Sequence, residues 1–168
     1  MKRLTLIRHA KSSWSDPGLS DFERPLNQRG NRDAPRMGQR LASADIHFDR
    51  MITSPANRAI STARLIAKAI GYPAAQIVTE PRFYEASPQT LLDYVRRLDD
   101  RDDHVALIGH NPAISLLAHH LCPEVPGDLP TCAVVRLACE TDNWQALMPG
   151  RVMLLQLDYP KNRASPTE

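Results

Sequence analysis

The run His104-Val105-Ala106-Leu107-Ile108-Gly109 constrains the fold of this chain more than any other stretch. It is apolar almost without a break, whereas a strand with one wet face would alternate apolar and polar side chains. Such a run suits a strand covered on both faces, as in a parallel sheet flanked by helices. The remainder of the chain reads in the same way, with short β-branched runs alternating with longer stretches of helical spacing. Strands are expected at residues 3–8, 48–53 and 76–79, and near 131–138, 144–147 and 151–157, the last three partly antiparallel. The expected fold class is α/β, a three-layer α/β/α sandwich on a mostly parallel sheet. It forms one domain over residues 1–158, followed by a polar tail at 159–168 that frays.

Helices are expected over residues 28–43, 54–70, 88–98 and 112–121. In the first, Ala34, Met37 and Leu41 keep helical spacing, but Pro35 conflicts with an uninterrupted helix. Either the helix starts later, with Asn31 or Asp33 near its cap, or it kinks at Pro35. In the second, Ser54 and Pro55 offer an N-cap and a first helical residue, Ala59, Ala63, Ile66, Ala67 and Ile70 form one apolar stripe, and Gly71 ends it. Residues 10–26 form a polar loop of a length that compact domains often reserve for function.

Composition excludes several classes. The 21 Lys and Arg nearly balance the 19 Asp and Glu, for a net charge of +2. That argues against a general nucleic-acid or polybasic membrane binder, while leaving room for a local basic pocket. No apolar run approaches the ~20 residues of a membrane helix, and the N-terminus lacks a signal-peptide core. Three cysteines, Cys122, Cys132 and Cys139, cannot all pair and form no C-x-x-C, so a reducing cytoplasm is the expected compartment. No metal or other cofactor is expected: His119-His120 has no further ligand at suitable spacing, and the acidic run Asp99 to Asp103 reads as a solvated turn.

Chemistry concentrates where strands end. Arg8-His9 closes the first strand and His110 closes the strand at 104–109, the edge at which open α/β sheets bind ligands. Arg58 lies in the first helical turn after the second strand, at the same edge. Singly, each has an ordinary reading: a solvated strand end, a helix-surface cation, a loop histidine. Jointly, two imidazoles and two guanidiniums form a phosphate-handling set, with forks for phosphoryl oxygens and an imidazole nucleophile.

These residues resemble a known family. Arg8-His9-Ala10 is similar to the strand-ending R-H-G/A signature of the histidine phosphatase (phosphoglycerate-mutase-like) superfamily. Residues 54–63, Ser-Pro-Ala-Asn-Arg-Ala-Ile-Ser-Thr-Ala, match its S-P-x-x-R-A-x-x-T-A block. Gly109-His110-Asn111-Pro112 has the form seen in SixA-type phosphohistidine phosphatases, and Arg24-Pro25-Leu26 with Gly30 resembles another segment of that branch. The resemblance implies a phosphoglycerate-mutase-like fold and a metal-independent phosphatase in which His9 carries a transient phosphoryl group. It implies that Arg8, Arg58 and His110 hold the transferred group, with Arg24 and Asn111 also in the substrate site. Arg24 has a second reading as a structural partner of Asp21 or Glu23. Glu85 falls where many relatives keep a general acid, and reads equally as a loop carboxylate paired with Arg82 or Arg58. The implied partner is a phosphorylated protein, such as a histidine phosphotransfer domain, or a small phosphorylated substrate. Alternatives are a phosphatase or mutase acting on a small phosphate ester, and a catalytically silent phosphate-binding protein.

Overall fold

In the computed structural model, which describes residues 1–162, the run at 104–109 lies inside a six-stranded sheet. The strands are β1 (Lys2–Arg8), β2 (Arg50–Thr53), β3 (Val78–Thr79), β4 (His104–Gly109), β5 (Val134–Cys139) and β6 (Val152–Asp158). Their spatial order is β3-β2-β4-β1-β5-β6. The pairings β2–β3, β2–β4 and β1–β4 are parallel, while β1–β5 and β5–β6 are antiparallel. The helices are α1 (Gln28–Ser43), α2 (Asn57–Ile70), α3 (Pro88–Arg96) and α4 (Ala113–Leu121).

Both faces of the sheet are covered, as the apolar run requires. Val105 and Leu107 of β4 join Leu4 and Leu6 of β1 in a core with Leu91, Leu92 and Leu117 from α3 and α4. Ala106 and Ile108 join Ile7 in a second core with Met37, Leu41, Ala63 and Ile66 from α1 and α2. The result is a three-layer sandwich. The carboxyl ends of β1 and β4 lie side by side, because Arg8 is in register with Gly109. Among the described residues no helix is long and apolar enough to cross a membrane.

Several local expectations are corrected. α1 starts at Gln28, with the Asn27 side chain accepting from Gly30 N, and continues through Pro35 as one helix. The apolar face of Ala34, Met37 and Leu41, buried against the sheet and α2, outweighs the backbone bond that proline removes. α2 begins at Asn57 rather than at Ser54-Pro55, and Ser54 is engaged elsewhere. Residues 144–146 form a 3-10 turn, not a strand: Trp144 is fully buried, with its indole N–H on Asp102 O at 2.8 Å. Tyr159 and Pro160, expected in a frayed tail, accept hydrogen bonds from Arg40 through their carbonyls at 3.0 and 3.1 Å. The tail beyond Asn162 lies outside the described residues.

The long loop of residues 9–27 is pinned to the first turn of α1. Asn27 N donates to Lys11 O at 3.0 Å. A Cβ at position 30 would lie 2.2 Å from that same carbonyl, which gives a steric reason for Gly30 in the Arg24-to-Gly30 segment.

Candidate active site

The backbone at the end of β1 fixes His9. Its N–H donates to Gly109 O and its carbonyl accepts from Cys132 N, both at 3.0 Å. Ala10 N donates to Thr62 Oγ1 at 2.9 Å, and that hydroxyl donates to Arg58 O at 2.8 Å. Thr62 therefore ties the His9 segment to the helix that carries Arg58. The His9 ring is 8% exposed, and its Nδ1 lies 2.7 Å from Ala10 O. A carbonyl only accepts, so Nδ1 carries the proton and Nε2 keeps its lone pair.

His110 faces it, with ring centroids 5.1 Å apart. Its Nε2 is 2.7 Å from Ser54 Oγ, which also accepts from Ala56 N at 3.2 Å. This is why Ser54 does not cap α2. Arg8 Nη1 donates to Leu129 O at 2.6 Å. Arg58 is 6% exposed and donates through Nη1 to Asp21 O at 2.7 Å and through Nη2 to Asp21 Oδ2 at 3.0 Å.

Asp21 is the residue that sequence reasoning undervalued. Its Oδ1 accepts from Arg24 Nε and Nη2 at 3.1 and 3.0 Å, and its Oδ2 also accepts from the Tyr84 hydroxyl at 2.7 Å. The Tyr84 and Arg58 bonds hold its carboxyl down to about 2. One carboxylate thus orients two guanidiniums and joins the loop, α2 and the segment before α3. The spacing Asp21 to Arg24 was a visible signal for only part of this. Arg24 has the pairing that its structural reading expects: besides Asp21 it donates to Ser12 Oγ at 2.9 Å and lies 3.4 Å from the centre of the Trp14 ring. Tyr84 places its ring edge-on to His110, with centroids 5.8 Å apart.

The structure brings Arg8, His9, Arg58 and His110 together, while the side chains of Asn111 and Glu85 have other surroundings. Asn111 spends its side chain on the protein, donating to Asp128 Oδ1 and Leu129 O and accepting from Ser115 Oγ. It braces the loop whose carbonyl holds Arg8. Glu85 is exposed at a positive φ of 56° and has neither expected partner. Arg82 pairs with Glu80 and Arg58 with Asp21. Among the described residues, no three His, Cys, Asp or Glu side chains are grouped to hold a metal ion.

Burial sets the protonation of the imidazoles. His9 is pushed down to about 3, first by desolvation and then by His110, Arg58 and Arg8, against the Ala10 hydrogen bond. His110 is pushed down to about 4, first by desolvation and then by Arg58, with Asp21 opposing. The neutral forms persist above those values. The acid limb of kcat/KM, corrected for substrate titration, is therefore expected below about pH 5 rather than near an ordinary histidine value. A limb centred near 6.5 would contradict this assignment. Stability should follow the same groups. His9, His104 and His110 all have folded values below the unfolded 6.5. The unfolded chain therefore binds more protons in between, so stability is intact above 6.5 and declines as pH falls toward 4. Urea midpoints at pH 7 and pH 5 measure it, and the midpoint at pH 5 should be lower.

Comparison with known proteins agrees with this geometry. The model of the histidine phosphatase superfamily (branch 1) matches residues 4–91. An uncharacterized protein of Mycobacterium tuberculosis is 31% identical over 167 residues, spanning 92% of this chain and 100% of its own length. The SixA protein of Agrobacterium tumefaciens superposes with a TM-score of 0.81 at 25% identity, covering 95% of this chain and 98% of that one. A protein histidine phosphatase SixA complexed with tungstate shares the fold, with a TM-score of 0.78 at 20% identity over 94% of this chain and 97% of that one. The family match supports phosphatase activity: the chain belongs to the histidine phosphatase superfamily, branch 1.

Proposed function

We propose that this protein is a metal-independent phosphatase that removes the phosphoryl group from protein phosphohistidine through a covalent intermediate on His9. One observation carries the reading. Among the described residues four buried side-chain nitrogens or oxygens have no hydrogen-bond partner, and three of them are Arg8 Nε, Arg58 Nε and His110 Nδ1. Buried polar groups are almost always satisfied, so three orphans on the side chains that surround His9 support an oxyanion site there. The SixA protein that binds tungstate, a tetrahedral oxyanion, has the same fold.

The chemistry proceeds in two displacements. The Nε2 lone pair of His9 forms a bond to phosphorus while the bond to the substrate imidazole breaks, and that imidazole departs with the electron pair and takes a proton from water. Water then attacks the phosphorylated His9, the P–N bond returns its electrons to Nε2, and phosphate leaves with the oxygen of water. Arg8 and Arg58 hold the equatorial oxygens as charge redistributes. In the tautomer where Ser54 donates to Nε2 of His110, the Nδ1 proton is the third donor.

Two exposed aromatic residues of the loop that carries Asp21, Trp14 at 73% over Arg24 and Phe22 at 40% against Tyr84, favour a protein-borne substrate over an enclosed small ester. We place the protein in the cytoplasm, the compartment that three unbridged cysteines fit. The test assays the purified protein on a phosphohistidine peptide and a panel of phosphate esters, with and without chelator. Turnover of the peptide that survives chelation supports the proposal; activity restricted to esters, or restored by added metal, overturns it.

Glu85 separates the substrate readings. Imidazole leaves readily, whereas an alkoxide gains roughly 10²–10⁴-fold from a general acid. Glu85→Gln should therefore leave kcat/KM on phosphohistidine unchanged. A loss confined to alkyl phosphates would instead make Glu85 an acid for esters.

A further inference from the structure

The basic residues of this nearly neutral chain are not evenly spread. Arg29, Arg32, Arg36 and Arg40 follow helical spacing along α1 and line a groove of about 530 Å³ together with Lys161 and Thr131. Asp33, 3% exposed, sits in its wall at 3.6 Å from Arg29 Nε and 3.5 Å from Arg32 Nε. Asp158 pairs with Arg40 at 3.2 Å. Arg36 and Lys161 have no ion pair or side-chain hydrogen bond among the described residues. Five cations against two carboxylates leave a surplus of three positive charges, larger than the +2 of the whole chain.

The groove shares a wall with the active site. Arg29 Nη2 donates to Thr131 Oγ1 at 3.1 Å, in the same loop where Leu129 O accepts from Arg8 and Cys132 N donates to His9 O. The Arg29 end of the groove is thus joined to the loop that holds Arg8 and His9. From Arg29 to Arg36 the helix rises ~10 Å. An extended chain places alternate side chains ~6.6 Å apart, so two or three carboxylates can meet these guanidiniums in line.

Resting on the phosphohistidine reading, we propose that the α1 groove docks an acidic, extended segment of the phosphorylated partner protein and so selects it over other phosphoproteins. Rim charges of this kind act on encounter and KM, and they weaken in salt.

Two synthetic phosphohistidine peptides, one flanked by glutamates and one by glutamines, test it on the full chain. The wild type should prefer the glutamate peptide by roughly tenfold in kcat/KM at low salt, through KM, and lose the preference at high salt. Arg32→Gln/Arg36→Gln should abolish most of the preference, and Arg32→Glu/Arg36→Glu should reverse it. Turnover of an aryl phosphate should stay unchanged in both variants, which also shows that they fold. Fluorescence anisotropy of an unphosphorylated glutamate peptide reads the groove independently of catalysis. It should bind the wild type more tightly than either variant, even if no phosphohistidine is hydrolysed, in which case the substrate reading alone would fail. Equal kcat/KM on both peptides together with equal anisotropy in all variants overturns the groove proposal. So does a dimer that the substitutions dissociate, because a second copy then fills the groove.

Discussion

His9→Ala is expected to lower turnover on the order of 10⁴–10⁶-fold on every substrate, the scale on which enzymes lose a covalent nucleophile. The cause is chemical rather than structural. The His9 backbone bonds to Gly109 and Cys132 remain, and the lost ring gives up one hydrogen bond, to Ala10 O, and its packing against His110. Folding should therefore survive, as circular dichroism and an unfolding curve would show. His9→Asn keeps a polar group of similar reach with no nucleophilic nitrogen, and it should be as inactive as the alanine variant. Activity within tenfold of wild type in either variant would remove His9 from the mechanism.

Arg58→Ala should cost roughly 10²–10³-fold in kcat/KM, and equally on phosphohistidine, aryl and alkyl phosphates. Equality across leaving groups follows because Arg58 holds the transferred group, which all three substrates share. Part of the loss comes from Asp21, whose carboxylate keeps only Arg24 and Tyr84 once Arg58 is gone and then repels the incoming phosphate. Asp21→Asn alone should cost less, since its one side-chain oxygen still accepts from one guanidinium and its backbone carbonyl still accepts from Arg58 Nη1. In the double variant the losses should fall short of additive, because removing the charge relieves the repulsion. Additive losses would mean that Asp21 and Arg58 act independently, against the geometry of their shared hydrogen bonds.

The sequence made the strand-end chemistry legible because strand ends are fixed by local pattern. Arg8-His9 follows Leu4-Thr5-Leu6-Ile7 and His110 follows the apolar run that ends at Gly109, so both lie at strand ends on one edge. Arg58 was legible from its position just after a strand. The reach of the loop was not legible: Asp21 meets Arg58 across 37 residues and Tyr84 across 63. Nothing in local spacing encodes those meetings. Ser54 was misread because the N-cap preference of serine is a local rule, while its actual partner is His110, just past the end of β4. The error of element type at 144–147 has a similar origin: Trp144 is buried by a single turn rather than by a strand. Pro35, which breaks isolated helices, sits inside the expected helix, held by the buried face of α1.

The covalent intermediate is the centre of this account, and rapid-quench mass spectrometry of the wild-type enzyme with excess substrate tests it most directly. The prediction is a phosphoryl group on the peptide containing His9, labile in acid and stable in base. It should form and decay at rates no slower than kcat, and it should be absent from His9→Asn. A wild-type enzyme that turns over without any such species, or that carries it on a residue other than His9, would contradict the account.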